Sequence, residues 1–302
     1  MSVLQSSAAF GDHPLVNDEA RTLPGSPACR HALNRLVAVS AERTGPPRRQ
    51  AINGQADQNA DRWSRTATAL ATGAKRSIMA LAVLGVLWFV AMVVLILAYR
   101  FVNPPASSLM LIRSVQGQPI KQSWVPLKSI SPNLVKAVIA SEDSRFCAHN
   151  GIDIGEIRRA IARAKDGAPR GGSTMTMQLA KNLFLWPDRS YIRKVLEAPL
   201  TLMIEVAWPK WRIAEIYLNV VEWGPGIYGA QAAAVHHFGR PASRLSSRQA
   251  ALLAVSLPSP AKRNPGKPGR LTKKLSNRIV ARSKSLSQAS ANCVLAHTKS
   301  AR

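Results

Sequence analysis

Two adjacent carboxylates stand at the end of an apolar stretch of the sequence. Ser131-Pro132 is a typical helix start, and the apolar stripe after it runs up to Glu142 and Asp143. Carboxylates normally stabilise the N-terminal end of a helix, so an acidic pair at the C-terminal end has no evident structural role. A glutamate that emerges from an apolar helix into a cleft has a raised pKa, which suits a general base or acid acting on a sugar hydroxyl. A solvated helix end is the alternative interpretation.

A glycine-rich junction, Gly171-Gly172-Ser173-Thr174, introduces a second set of polar residues. The glycines let the backbone approach a ligand closely, and hydroxyl and N–H donors at a helix start suit an anion. Gln178 and Lys181 follow Thr174 at spacings of four and three, so a hydroxyl, an amide and an ammonium share one helix face. This stripe fits a cleft for a sugar and its phosphate. A capped loop-to-helix junction without a ligand is the alternative.

A third cluster combines one carboxylate with two cations. Arg193 and Lys194 lie shortly before Glu197. Paired carboxylates recur in glycosyl transfer and glycoside hydrolysis, so Glu197 is a second candidate beside Glu142. The alternative for the two cations is a solvated basic pair.

An apolar segment upstream predicts how these residues are placed in the cell. Residues 78–98 hold no charged side chain and would span about 31 Å as a helix, which is the thickness of a bilayer core. Lys75 and Arg76 abut this segment, whereas only Arg100 follows it closely, so we expect a cytoplasmic N-terminus in the inner membrane. Residues 101–302 would then lie in the periplasm, where ATP is not supplied. Chemistry there requires an already activated substrate.

Composition supports a negatively charged partner. The chain of 302 residues has a formal net charge of +25, and most of that charge lies beyond residue 76. Aromatic residues make up only 6%, which argues against a base-stacking nucleic-acid binder. The three cysteines, Cys29, Cys147 and Cys293, are few and widely spaced, so we predict free thiols.

Five blocks in this order resemble glycosyltransferase family 51, the peptidoglycan glycosyltransferases. The first is Glu142-Asp143 with Phe146, His149 and Gly151, and the second is residues 171–174 with Gln178, Lys181 and Asn182. The third is Arg193-Lys194 with Glu197, and the fourth runs from Arg212 through Glu215, Tyr217 and Asn219 to residues 224–229. Residues 250–254 with Pro258 form the fifth, so the resemblance covers about residues 124–269.

The resemblance implies a role for each matched residue. Glu142 would be the general base for the 4-hydroxyl of the acceptor, and Glu197 the second required carboxylate at the diphosphate end. Arg193 and Lys194 would bind the diphosphate of the donor. Substrate contacts are further implied for Asp143, Phe146, His149, Gly172, Ser173, Thr174, Gln178, Lys181, Asn182 and Asn219. For His149 we favour structural or substrate-positioning work over proton transfer.

The resemblance also implies a fold, substrates and partners. The expected fold is a mainly α, lysozyme-like glycosyltransferase domain preceded by a single transmembrane helix. The substrates would be lipid II and lipid-linked glycan, with a divalent cation, Mg or Mn, as the candidate cofactor and no nucleotide cofactor. Expected partners are the inner membrane and proteins of cell-wall synthesis and division, and not nucleic acid. No penicillin-binding transpeptidase domain follows, so we expect the form of the family with the glycosyltransferase domain alone.

The predicted organisation has five parts. These are a disordered cytoplasmic arm, a transmembrane helix, a connector, the glycosyltransferase domain and a basic tail, at residues 1–76, 77–99, 100–122, 123–270 and 271–302. The tail either lies against anionic lipid or is solvated. Within the domain, Ser246 and Gln249 predict a capping box, and Glu215 predicts a structural ion pair.

Two residues depart from the family pattern. Met177 stands where a glutamine is usual, and Pro199 falls inside a predicted helix, where it would kink the turn. Two rival functions remain open, namely a lysozyme-like enzyme that cleaves glycan and a non-catalytic basic membrane scaffold. A glycan-cleaving enzyme would not need Lys181, Arg193 and Lys194 for a diphosphate, and a scaffold would not explain the ordered blocks.

Overall fold

The computed structural model describes residues 48–164, 171–188 and 190–298. Its contacts divide the chain into two units, one ending at Leu81 and the other beginning at Ala82. Among the described residues, one helix is long and apolar enough to cross a membrane. The prediction of a mainly helical domain is confirmed, and the described residues contain one candidate membrane-spanning helix ahead of it.

This helix, α1, is longer than the sequence suggested, because it spans Arg48–Tyr99. The prediction that residues 1–76 form a disordered arm is wrong for residues 48–76, and residues 1–47 lie outside the described residues. Residues 48–76 contain no proline, and a helix extends from an existing apolar helix without a new nucleation step. The Thr68 hydroxyl donates to the Ser64 carbonyl inside the helix.

The second unit is built from short helices around one small sheet. The helices are α2 Ser108–Val115, α3 Pro132–Glu142, α4 Ile154–Arg163, α5 Met175–Phe184, α6 Tyr191–Ala207, α7 Lys210–Val220, α8 Ala230–Phe238, α9 Ser247–Ser256, α10 Arg270–Ser285 and α11 Gln288–Leu295. The strands are β1 Lys121–Gln122, β2 Glu222–Gly224 and β3 Ile227–Tyr228. Strand β3 lies in the middle, parallel to β1 and antiparallel to β2.

Two groups of packed helices contribute to the core beside the candidate site. Helix α3 packs against α9 and α10, and α5 packs against α6 and α7. The contacts bury apolar side chains completely, among them Leu134, Ile139, Leu179 and Ile213. Burying side chains of this size stabilises the fold by about 1.5–3 kcal/mol each. The core thus fixes the end of α3 relative to the start of α5.

Helix starts agree with the predictions from the sequence. The Ser131 hydroxyl accepts the Asn133 N–H in front of α3, and Ser246 with Gln249 forms the predicted capping box of α9.

Helix α6 continues across Pro199, whose side chain is exposed. The proline therefore does not end this helix.

Within the second unit, the end of α1 is held by hydrogen bonds to its backbone carbonyls. The Arg212 Nε donates to the Tyr99 carbonyl over 3.0 Å, and the Trp208 indole N–H donates to the Ile96 carbonyl over 2.6 Å. Arg212 also pairs with Glu215, so the structural ion pair predicted for Glu215 is present. These contacts join α1 to the start of α7.

The predicted boundaries of the folded domain are too narrow. The connector at residues 100–122 contains α2 and β1, and the basic tail at residues 271–302 forms α10 and α11 up to residue 295. Ile279 and Val294 are buried in the core, while the basic residues of α10 lie on its solvent face. The sequence did not indicate that α10 packs against the core, because its apolar positions are few and lie among many cations.

The prediction that all three cysteines are free thiols is wrong for two of them. Cys147 and Cys293 form a disulfide, whereas Cys29 lies outside the described residues. The two partners are 146 residues apart in sequence, and α11 packs against the turn Phe146–Ala148, which brings them together. The disulfide links the C-terminal helix to the segment that directly follows the acidic pair.

Candidate active site

The carboxylate of Glu142 is the centre of the candidate site. Glu142 is the last residue of α3, as predicted, and its side chain is only partly exposed. Burial raises the pKa of this carboxyl above its ordinary value of 4.5, and hydrogen bonds from Gln178 and Ser141 lower it in part. The Gln178 amide N–H donates to Oε2 over 3.2 Å, and the Ser141 hydroxyl donates to Oε1 over 2.9 Å. A partly dehydrated carboxylate of this kind can take up a proton.

Gln178 is itself held by a buried tyrosine. The Tyr217 hydroxyl donates to Gln178 Oε1 over 3.0 Å. Burial raises the pKa of the Tyr217 phenol well above its usual value, so the hydroxyl stays protonated as a donor. Because Oε1 accepts from Tyr217, the amide nitrogen of Gln178 must face Glu142. Three side chains from α3, α5 and α7 thus fix the carboxylate.

Asp143 and His149 tie the end of α3 to the start of α5. The His149 Nε2 lies 2.9 Å and 3.0 Å from the two carboxylate oxygens of Asp143. The backbone N–H of Met175, at the first turn of α5, donates to Asp143 Oδ2 over 3.0 Å. Both side chains are buried, with 4% of Asp143 and 6% of His149 exposed. The pair holds the scaffold of the site, and the substrate contacts implied for Asp143 and His149 stay predictions.

The glycine-rich junction is also built into the scaffold. Thr174 caps α5 by accepting the Met177 N–H, and its hydroxyl donates to the Gly151 carbonyl over 2.5 Å. Gly151 has a φ of +86°, and a Cβ there would lie 2.8 Å from side-chain atoms of Glu205 and Thr201. Gly172 has a φ of +83°. The positive φ favours glycine at both positions, and close packing also requires it at Gly151.

The cations gather one turn further along α5. Lys181 lies close enough to Glu197, Arg193 and Lys194 for their charges to act on it, while burial, the largest effect, lowers the pKa of its ammonium. Arg193 and Lys194 both pair with the buried Glu197 carboxylate, the latter over 2.7 Å. This cationic cluster of Lys181, Arg193 and Lys194 around Glu197 can hold an anion.

Ser173 and Asn182 lie at the edges of the cationic cluster. The Lys194 ammonium donates to the exposed Ser173 hydroxyl over 3.4 Å. Asn182 follows Lys181 on α5, and both line a cavity between α2 and α5. The structure therefore brings together Glu142, Gln178, Lys181, Arg193, Lys194, Glu197 and Ser173, with Asn182 at the border.

Two further predicted substrate contacts are buried, as Asp143 and Thr174 also are. Phe146 and Asn219 have no exposed surface. The Asn219 side chain is fully used within the protein, because it exchanges hydrogen bonds with the backbone of Val125 and donates to the Glu215 carbonyl. Phe146 belongs to the core instead of a substrate surface. Both residues are therefore corrected to positions in the scaffold.

The side chains present do not form a cage for a divalent cation. Both carboxylate oxygens of Glu197 are engaged, one by Arg193 and the other by Lys194. In the described parts of the chain, no group of three His, Cys, Asp or Glu side chains is placed to hold a metal ion. In proteins Mg²⁺ is usually held by one or two carboxylates together with waters and substrate phosphates. Because both Glu197 oxygens are already paired, the described residues show no preformed cation site, and the Mg or Mn cofactor stays a prediction.

Four residues around the site were missed as site residues in the sequence. Ser141 and Tyr217 contact the Glu142–Gln178 pair, and Glu205 and Lys210 lie beneath the Asp143–His149 pair. Tyr217 belongs to the fourth block of the family resemblance, and that match was the one feature of the sequence that could have identified it as a site residue. Glu205 and Lys210 lie on different helices, so the spacing of residues along one helix could not indicate that they pair.

Comparison with known proteins agrees with these observations. The sequence pattern of the family described as Transgly, Transglycosylase, matches residues 109–284. A biosynthetic peptidoglycan transglycosylase of Agrobacterium fabrum is 50% identical over 225 residues, which is 74% of this chain and 98% of that protein. Proteins with the same name from Rhodospirillum centenum and Caulobacter vibrioides are 56% and 47% identical, covering 59% and 62% of this chain and 78% and 82% of theirs. With its matched residues extending from α2 to α10, the chain belongs to the transglycosylase family.

Proposed function

We propose that this chain is a peptidoglycan glycosyltransferase that joins lipid II into glycan strands for the cell wall. The observation that carries the proposal is the placement of a partly buried carboxylate, Glu142, on the same side of α5 as a cluster of three cations. Gln178, which contacts Glu142, and Lys181 are three residues apart on this helix, so their backbone positions are about 4.5 Å apart along its axis. Family membership and the names of the relatives support the same activity.

Glu142 has the environment that a general base requires. In the proposed reaction, its carboxylate takes the proton of the acceptor 4-hydroxyl as that oxygen attacks the anomeric carbon of the donor. The bond from that carbon to the diphosphate oxygen breaks, and the electron pair leaves with polyprenyl diphosphate. Direct displacement on an α-linked donor inverts the anomeric carbon. The raised pKa of Glu142 brings its basicity closer to that needed near neutral pH.

The cationic cluster would stabilise the leaving group. A diphosphate gains negative charge as it departs, and fixed cations in a partly dehydrated site favour that charge. Lys181 is the member without a hydrogen-bond partner among the described residues, so its ammonium is available to a ligand. Glu197 would orient Arg193 and Lys194 through the two ion pairs. We assign no step to a divalent cation.

We further propose that the catalytic unit faces the periplasm. The Cys147–Cys293 disulfide supports this orientation, because disulfides persist in oxidising compartments and are rare in the cytosol. The basic residues ahead of the apolar segment favour a cytoplasmic N-terminus in the inner membrane. Lipid-linked substrate would then reach the site from the outer surface of the same membrane.

The first prediction concerns the base. Glu142→Gln keeps the size of the side chain and removes its basicity, so the initial rate of polymerisation from lipid II should fall below about one percent of wild type. Circular dichroism should show an unchanged fold. A rate clearly above that limit would remove Glu142 from this role. If wild type shortens purified glycan strands instead of building them, the lysozyme-like alternative is correct.

The second prediction concerns the diphosphate. Lys181→Ala should lower the polymerisation rate about 10- to 100-fold, since one charge-assisted contact to the leaving group is lost. It should also weaken inhibition by inorganic pyrophosphate. Lys136→Ala, which removes an exposed lysine of α3, is the matched control and should change neither quantity. Full rate and full inhibition with Lys181→Ala would contradict a role in diphosphate binding.

The third prediction concerns orientation and uses the cysteines. In spheroplasts, a membrane-impermeant maleimide should label Cys147 and Cys293 only after reduction, and Cys29 only after the membrane is permeabilised. Cys29→Ser is the control that assigns the second signal. Labelling of Cys29 in intact spheroplasts would show the opposite orientation.

A further inference from the structure

A partly buried lysine beneath the candidate site has contacts that the proposed reaction does not use. Lys210 is the first residue of α7, where a cation is disfavoured by the helix dipole. Its ammonium donates to the His149 carbonyl over 2.6 Å and lies 4.5 Å from the centre of the Phe146 ring. It also pairs with the Glu205 carboxylate over 2.8 Å. An unfavourable position with three specific contacts indicates a requirement for that ammonium.

Glu205 is fixed as firmly as its partner. Its side chain is 5% exposed, against 16% for Lys210. The Thr176 hydroxyl, on α5, donates to Glu205 Oε1 over 2.5 Å. The missing Cβ of Gly151 leaves room for the Glu205 side chain, since a Cβ would lie 2.8 Å from its Cγ. The pair therefore joins α5, α6 and α7 beneath the turn that contains Gly151.

The contacts of Lys210 lead directly to the proposed base. Lys210 holds the backbone of His149, and the His149 ring holds Asp143. Asp143 is the residue after Glu142, and it also receives the Met175 N–H of α5. A displacement of His149 would therefore release the constraint that keeps the end of α3 against α5. The Glu142–Gln178 hydrogen bond spans the same two helices.

We propose that Lys210 is a positioning residue for glycosyl transfer, acting through its hydrogen bond to the His149 carbonyl. This inference rests on the role proposed for Glu142. The ion pair with Glu205 keeps the ammonium in place, and the donated hydrogen bond keeps the catalytic segment in place. Misplacement of a catalytic group by about 1 Å can cost about 100-fold in rate, so a distant donor of this kind can limit turnover.

Separating positioning from folding requires a pair of substitutions. Lys210→Met alone leaves the Glu205 carboxylate buried without its cation, which is strongly destabilising. The double variant Lys210→Met with Glu205→Gln removes both charges and restores a neutral interior, but the donor to His149 is still missing. Glu205→Gln alone removes the ion pair and retains that donor. The three variants therefore assign any loss either to the charge or to the hydrogen bond.

The experiment measures kcat and KM for lipid II with the full-length chain in detergent. We expect the double variant to unfold near the wild-type temperature, with kcat about 10- to 100-fold lower and KM within about threefold of wild type. The decrease in kcat should be smaller for Glu205→Gln alone than for the double variant. Arg159→Met, which removes the cation of an exposed ion pair on α4, is the control and should retain wild-type kcat.

Two results would overturn the inference. One is a double variant with wild-type kcat, and the other is a double variant whose loss lies in KM alone. Glu142→Gln is assayed in parallel, so that the two proposals can fail separately. If Glu142→Gln is inactive while the double variant is fully active, only the role of Lys210 is wrong. If Glu142→Gln is active, the proposed base is wrong, and positioning by Lys210 falls with it.

Discussion

The structure depends on keeping one carboxylate partly out of water at the end of a helix. Burial of Glu142 disfavours its charged form, and the Gln178 amide is the strongest of the contacts that favour it. That amide has a defined direction only because Tyr217 donates to its oxygen. The carboxylate is therefore held by a chain of hydrogen bonds from three helices. Loss of any of these hydrogen bonds would change both the basicity and the position of the Glu142 carboxylate.

Helix α5 converts this local constraint into an arrangement fit for group transfer. Its first turn is held by Asp143 and capped by Thr174, so its position relative to α3 is fixed. On the same helix, Gln178 contacts the Glu142 carboxylate and Lys181 belongs to the cationic cluster. The acceptor hydroxyl and the leaving diphosphate have opposite requirements, a base for one and cations for the other. Helix α5 holds the base through Gln178 and carries one of the cations, Lys181.

The C-terminal helices stabilise the same region from the other side. Helix α10 packs against α3, and α11 packs against the turn that follows Asp143. The Cys147–Cys293 disulfide makes the second contact covalent. The segment from Glu142 to His149 is thus held by α5, by Lys210 and by α11. Three independent constraints on eight residues agree with a role that demands accurate placement.

The sequence predicted the local features of the site and missed the contacts between distant segments. Apolar spacing and the Ser131 cap placed Glu142 at a helix end, and the spacing of Gln178 and Lys181 placed both on one face. Burial could not be read in the same way, so Asn219 was assigned to substrate although it lies in the interior. Cys293 and Lys210 act across the fold. The contacts of these two residues depend on how the helices pack together, which cannot be predicted from a single sequence.

The pH dependence of kcat/KM tests the central claim most directly, because its acid limb reports the ionisation of the base in the free enzyme. In wild type this limb should lie above pH 4.5, since burial raises the pKa of Glu142. Gln178→Leu removes the donor that favours the carboxylate, so the limb should move to higher pH, and Ser141→Ala should move it in the same direction by less. A limb that stays in place in both variants would contradict the assignment of Glu142 as the base.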